Sequence, residues 1–389
     1  MQSDRFLSPV AICRLDRYDM GEACAALNRV IDSAGGWETL HAGMRVAVKA
    51  NLVSAMEPAR AATTHPVLLA ALTRLLRERG MEVVIGDSPG GLFLPSALRA
   101  AYHVCGLELA AREGAVLNED TAVTECSFQE AVSARTFTCT RWVLDCDAII
   151  DFAKLKTHAM MNLTCCVKNL FGCIPGTTKP EYHMRFPDTM AFANMLVDLD
   201  EFLKPALCLV DAVVGMEGNG PVQGRPRHVG AVLASRSPYN ADCICAAMIG
   251  MTKDNIPTWQ AACSRGLCPE EADSVSLIGG KIEDFTVSGY DAARLKTVTF
   301  GRQTPAGKAF SAIAQRALAT RPQVTAGECI GCGRCRDICP AHAITMVQKR
   351  PVIQRQQCIH CFCCQEFCPA GAMKVHRTAL ATLLRRLQS

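Results

Sequence analysis

The chain has no window of about 18 uninterrupted apolar residues, so no transmembrane helix is expected. Aromatic residues make up only 6% of it, and no basic stripe is interleaved with them, which argues against a nucleic-acid surface. The amino terminus, Met1-Gln-Ser-Asp-Arg, has no basic segment leading into an apolar one, so no secretory leader is expected. Neither a P-loop nor a G-x-G-x-x-G turn is present. Without either, nothing in the sequence names a nucleotide, flavin or nicotinamide.

Cysteine is abundant: 23 in 389 residues. Without a leader, the natural setting for so many thiols is a reducing cytoplasm, where they serve metal binding and not disulfides. A hydrophobic fraction of 49% with 20% charged residues is that of a globular chain with a sizeable core, long enough for two or three domains. Net charge is only +4, but residues 326–389 hold nine Lys/Arg against three Asp/Glu. That excess offsets the charge of bound thiolate clusters or offers a docking face to an acidic redox partner protein.

Cys329, Cys332, Cys335 and Cys339-Pro340, then Cys358, Cys361, Cys364 and Cys368-Pro369, spell C-x2-C-x2-C-x3-C-P twice. Three thiolates two residues apart grip three corners of one cubane, while the fourth, before proline, reaches the other cluster. Two 4Fe-4S clusters are therefore expected, one on Cys329, Cys332, Cys335 and Cys368, the other on Cys358, Cys361, Cys364 and Cys339. Cys363 fits neither ligand position. A shift of twenty-nine residues lays Ile330 on Ile359, Asp337 on Glu366 and Ala343 on Ala372, which predicts two halves related by a pseudo-twofold axis. Paired zinc knuckles would need a different spacing. Residues 326–377 resemble bacterial-type ferredoxins, a small α+β fold that carries electrons.

Residues 1–290 read as one α/β domain. Short apolar runs at 45–50, 82–87, 147–152 and 206–211 have the character of buried strands, and stretches at 20–33, 66–79, 188–203 and 240–250 that of amphipathic helices. The alternation predicts a mixed, largely parallel sheet covered by helices, with polar residues gathered at the carboxyl ends of its strands. Residues 291–325 read as a connector with a short helix near 306–319, and 378–389 as a terminal helix.

A second constellation runs from Asp151 through Lys154, Lys156, Thr157 and His158 to Lys168, Asn169 and Gly172, then Lys179 and His183. Lysines and amides in a loop punctuated by glycine suit an anion, and the two histidines suit proton donation. Lys49, Asn51, Asp87 and Asp211, at expected strand ends, and Asn219 complete the candidate pocket. Cys165, Cys166 and Cys173 read as small buried hydrophobes, because consecutive side chains diverge.

The runs Val48-Lys49-Ala50-Asn51-Leu52, Gly86-Asp87-Ser88-Pro89-Gly90, Lys154-Leu155-Lys156-Thr157-His158, Lys168-Asn169-Leu170-Phe171-Gly172 and Gly215-Met216-Glu217-Gly218-Asn219-Gly220-Pro221 resemble the family catalogued as domain of unknown function 362, over nearly all of residues 8–280. Where that family tends to read Asp-Pro, this chain has Ser237-Pro238, while Asp242 is kept. The resemblance implies an iron-sulfur protein of α/β fold. The leading expectation is a ferredoxin-type oxidoreductase passing low-potential electrons to an anionic substrate or cofactor in the lysine-rich pocket; the alternatives are a non-catalytic electron carrier or adaptor that docks a partner protein, and a cofactor-maturation factor.

Overall fold

The structure, a computed structural model, describes residues 7–176, 178–292 and 321–376. Two compact units divide at Ala292. The helices expected near 306–319 and 378–389 lie outside the described residues.

The first unit is built on a nine-stranded sheet. Its strands are β1 (Val10–Arg14), β2 (Arg45–Ala50), β3 (Glu82–Gly86) and β4 (Val116–Leu117), then, after the hairpin of β5 (Val123–Ser127) and β6 (Thr136–Thr140), which forms a separate small sheet, β7 (Ala148–His158), β8 (Asn162–Thr164), β9 (Leu207–Glu217), β10 (Arg225–Ser235) and β11 (Leu277–Ile278). The order is β11-β1-β10-β9-β7-β2-β3-β4, with β8 beside β7. The central run β9-β7-β2-β3-β4 is parallel, and β10 runs antiparallel to both β9 and β1.

Helices cover both faces. Helix α1 (Met20–Ser33) buries Ala23, Ala26, Leu27, Val30 and Ile31, a stripe at helical spacing, and Asp19 caps it by accepting from the Glu22 amide at 3.0 Å. Helix α2 (Pro66–Glu78) starts on proline, and the Nδ1 of His65 accepts from the Val67 amide at 3.3 Å. These two pack with Val46, Val48, Ile150, Phe152 and Leu209. On the other face α3 (Cys166–Asn169), α4 (Thr189–Leu203) and α5 (Pro238–Met248) pack over Ala47, Ala153, Leu155, Cys208 and Val210. The strand residues alternate between the two cores as the pleat requires. Ser237, where the family tends to have an acid, caps α5 by accepting from the Asn240 amide at 3.2 Å.

Two strands run further than expected. Strands β7 and β9 each extend for 11 residues, so Lys154 and Lys156, expected past the end of their strand, and Asp211, expected at the end of its own, all sit inside strands. The physical reason is cross-strand pairing: Lys154 lies directly opposite Asp211 with both charges buried, and past an irregularity the pairing resumes at Lys156 opposite Met216.

The second unit repeats itself. Strand β12 (Arg321–Val324), α6 (Arg334–Asp337) and β13 (Ile344–Val347) recur twenty-nine residues later as β14 (Arg350–Ile353), α7 (Cys363–Glu366) and β15 (Met373–His376). Strand β12 pairs with β15 and β13 with β14, both antiparallel, so each half closes the other's sheet. The first strand of the repeat starts inside the segment read as connector.

Candidate functional site

In the second unit Cys329, Cys332, Cys335 and Cys368 line one cavity, together with Val324, Ile330, Met346 and Met373. Cys339, Cys358, Cys361 and Cys364 line another, with Ile344, Ile353 and Phe362. Each cavity takes three thiols from one run and the pre-proline cysteine from the other. The apolar walls hold the dielectric low around whatever the thiolates bind, a lever on reduction potential. Burial pushes the Cys335, Cys358 and Cys364 thiols up in pKa, so these sulfurs favour the neutral form unless a cation takes them as thiolates. Cys363 is buried but lines neither cavity.

The positive φ of Phe362 (61°), Gly333 (78°) and Gly331 (69°) turns the cysteine loops tightly enough to enter α6 and α7. In the second loop the equivalents of Gly331 and Gly333 are His360 (55°) and Phe362, which hold side chains in that conformation.

In the first unit the expected pocket residues are drawn inward and split between the two faces of the sheet. On the α1/α2 face Lys154 Nζ stands 2.7 Å from Asp211 Oδ2 and donates to the Tyr18 hydroxyl at 3.0 Å, which in turn donates to Asp211 Oδ1 at 2.9 Å. The His65 amide adds a bond to Asp211 at 2.9 Å, and the His65 ring stacks on Tyr18 with centroids 3.5 Å apart. Tyr18 and His65 are half-buried, so they cap this network where it meets the surface. Burial raises the Tyr18 pKa, with Asp211 adding to it, and burial lowers that of Lys154 against the pull of Asp211. Burial also lowers His65 to about 4. Lys156 donates to Asn51 Oδ1 at 2.8 Å and to the Ala62 carbonyl at 2.6 Å.

On the opposite face Lys49 pairs with Asp87 at 2.7 Å, donates to the Ala50 carbonyl at 2.7 Å and reaches Asn169 Oδ1 at 3.4 Å. Asn169 gives its amide hydrogens to the Lys49 carbonyl at 3.1 Å and to Asp151 Oδ1 at 2.6 Å. Gly172 is required here: a Cβ would stand 2.1 Å from Asp87 Oδ1 and 2.4 Å from Lys49 Nζ. The K-N-x-F-G run is thus the clasp over this ion pair.

Four lysines therefore do not converge on one concavity, because two are neutralised by Asp87 and Asp211 and a third is held by Asn51. The Lys168 ammonium lies 4.8 Å from the centroid of the Phe171 ring. His158 turns Nδ1 to the Met160 and Met161 amides at 3.0 and 3.1 Å, and His183 stacks on Phe192 at 4.4 Å. Asn219 reaches Gln223 at 3.4 Å in the turn after β9. Tyr18 and His65 were not anticipated, since each is a lone polar residue in a loop and no spacing marks it.

Residues 46–247 match the family described as domain of unknown function (DUF362), and residues 328–372 a 4Fe-4S dicluster domain. A thylakoid-associated protein of Synechocystis sp. is 32% identical over 68% of this chain and 81% of its own length. Among solved structures, the lactate racemase apoprotein of Thermoanaerobacterium thermosaccharolyticum aligns at 11% identity and a TM-score of 0.41, over 64% of this chain and 58% of that one. A Thermotoga maritima protein aligns at 13% identity and a TM-score of 0.34, over 55% of each. No helix among the described residues is long and apolar enough to cross a membrane.

Proposed function

We propose, from the premise that this chain belongs to the domain of unknown function 362 family and carries a 4Fe-4S dicluster domain, that it holds two 4Fe-4S clusters and passes low-potential electrons through them to or from a redox partner protein. One observation carries this: two separate cavities, each lined by four cysteines in the cross-linked grouping that a bacterial-type pair of cubanes needs. A reducing compartment such as the cytoplasm would keep those thiols available. After anaerobic reconstitution the chain should contain about eight iron and about eight acid-labile sulfide, and dithionite should produce a paramagnetic resonance signal from spin-coupled clusters. A zinc-loaded, iron-free protein would sink the reading.

The acceptor's identity divides the finer possibilities. Pairwise neutralised lysines attract an anion weakly, which favours the α/β unit as a docking body over an anion trap. Reduction of a bound small molecule is the second reading, and the Tyr18–Lys154–Asp211 network favours it. A half-buried hydroxyl held between an ammonium and a carboxylate is suited to deliver a proton with each electron pair. Native mass spectrometry on anaerobically purified protein separates the two. A small molecule retained by wild type and lost from Tyr18→Phe supports reduction. A mass equal to chain plus clusters supports the carrier.

A further inference from the structure

Register sets Asp151 beside Cys208 across β7 and β9, and α3 packs against both strands. Cys166, the first residue of α3, joins them. One ligand atom from each of Asp151, Cys166 and Cys208 lies within 4.8 Å of the others, and all three residues are buried. A second such group, Cys165, Cys166 and Asp242, shares Cys166. The expected divergence of consecutive cysteines fails here because the chain turns from an irregular backbone at Cys165 (φ −152°, ψ −134°) into the helix at Cys166.

The two carboxylates differ in what they already do. Asp242 accepts from the Cys166 amide at 2.7 Å and the Val167 amide at 3.3 Å, capping α3. Asp151 accepts from Asn169 through Oδ1, while its Oδ2 is buried with no hydrogen-bond partner. An unpaired oxygen of that kind is costly in a low-dielectric interior.

We propose that Asp151, Cys166 and Cys208 bind a single borderline-soft divalent ion, zinc in class, at a site separate from the eight cluster cysteines. Two thiolates and a carboxylate are a donor set for zinc, and the ion supplies the missing partner of Oδ2. Zinc's bond lengths of about 2.0–2.3 Å set ligand atoms roughly 3.3–3.8 Å apart, so the group has only to close by about an ångström. A site so enclosed would pin α3 to the two central strands and take no part in electron transfer.

The test uses the full chain with its clusters in place, purified anaerobically and incubated with zinc. Elemental analysis should give about one zinc per chain beside the iron, and X-ray absorption at the zinc edge should show sulfur at about 2.3 Å together with oxygen at about 2.0–2.2 Å. Asp151→Asn and Cys208→Ala should each lower bound zinc at least tenfold with iron content unchanged. Cys173→Ala, a buried cysteine outside the group, should keep it. If a cysteine variant fails to fold, the near-isosteric Asp151→Asn and the wild-type spectrum still decide. A protein that takes up no zinc, zinc that survives both substitutions, or an all-sulfur shell abolished by Cys332→Ala would overturn the site.

Discussion

Lys154 and Asp211 are 57 residues apart in sequence and 2.7 Å apart in space, with both side chains buried. Removing one partner strands the other's charge in the core, so Asp211→Asn should destabilise the α/β unit by about 3–5 kcal/mol, whereas Lys154→Met with Asp211→Leu should recover much of that loss. All three tryptophans, Trp37, Trp142 and Trp259, lie in this unit, so urea titration followed by tryptophan fluorescence reads it alone. A double variant no better than the single one would mean that the pair contributes more than mutual neutralisation. His65 gives a pH signature. Its imidazole sits at about 4 in the fold against an ordinary 6.5, so between those values the unfolded chain binds more protons. The His65 contribution is therefore complete above about pH 6.5 and is lost as pH falls towards 4. His65→Asn, which can still cap α2, should flatten the slope of the urea midpoint in that window. An unchanged slope would show that His65 is not the titrating group. The chemistry of these positions was legible in the residue types, but their pairing was not. Strand register, which no local spacing encodes, decides which lysine meets which carboxylate.

At the scale of elements, periodicity was a good guide where one face is apolar. Helix α1 begins and ends at the expected residues, and β2 matches its apolar run. Periodicity misled at β7 and β9, because charged residues were read as the end of each strand. A lysine facing a buried aspartate on the neighbouring strand is sheet interior all the same. The antiparallel β10, which begins with the exposed residues Arg225 and Pro226, also escaped notice. The K-N-x-F-G run was read as a ligand loop, and its glycine proves to be where backbone passes hard against the Lys49–Asp87 pair. Gly172→Ala forces a methyl group into that contact and should cost about 1–3 kcal/mol by overpacking. A stability within experimental error of wild type would show that the 170–176 segment can shift aside.

For the molecule as a whole, the cysteine spacing made the small unit legible almost completely, because cluster ligation ties geometry directly to sequence. The α/β unit was legible only as a class of fold. Cys363 separates spacing from mere abundance: it is buried, yet Cys361 and Cys364 line the cavity on either side of it in sequence. Cys363→Ser should therefore leave iron and sulfide at about eight each. Cys339 is the more demanding case. It belongs by sequence to the first run, beside Cys329, Cys332 and Cys335, but its sulfur lines the cavity of Cys358, Cys361 and Cys364. If chain proximity governed ligation, Cys339→Ala would damage the first cluster. If the cavities govern it, the same substitution should strip or convert the second cluster, and Cys368→Ala the first. Combining each with Cys332→Ala distinguishes the outcomes. Cys332→Ala with Cys368→Ala touches one cavity and should retain a single 4Fe-4S cluster with an uncoupled resonance signal. Cys332→Ala with Cys339→Ala touches both and should retain no intact cluster. The reverse pattern would place both pre-proline cysteines in their own runs and remove the cross-link that joins the two halves of the repeat.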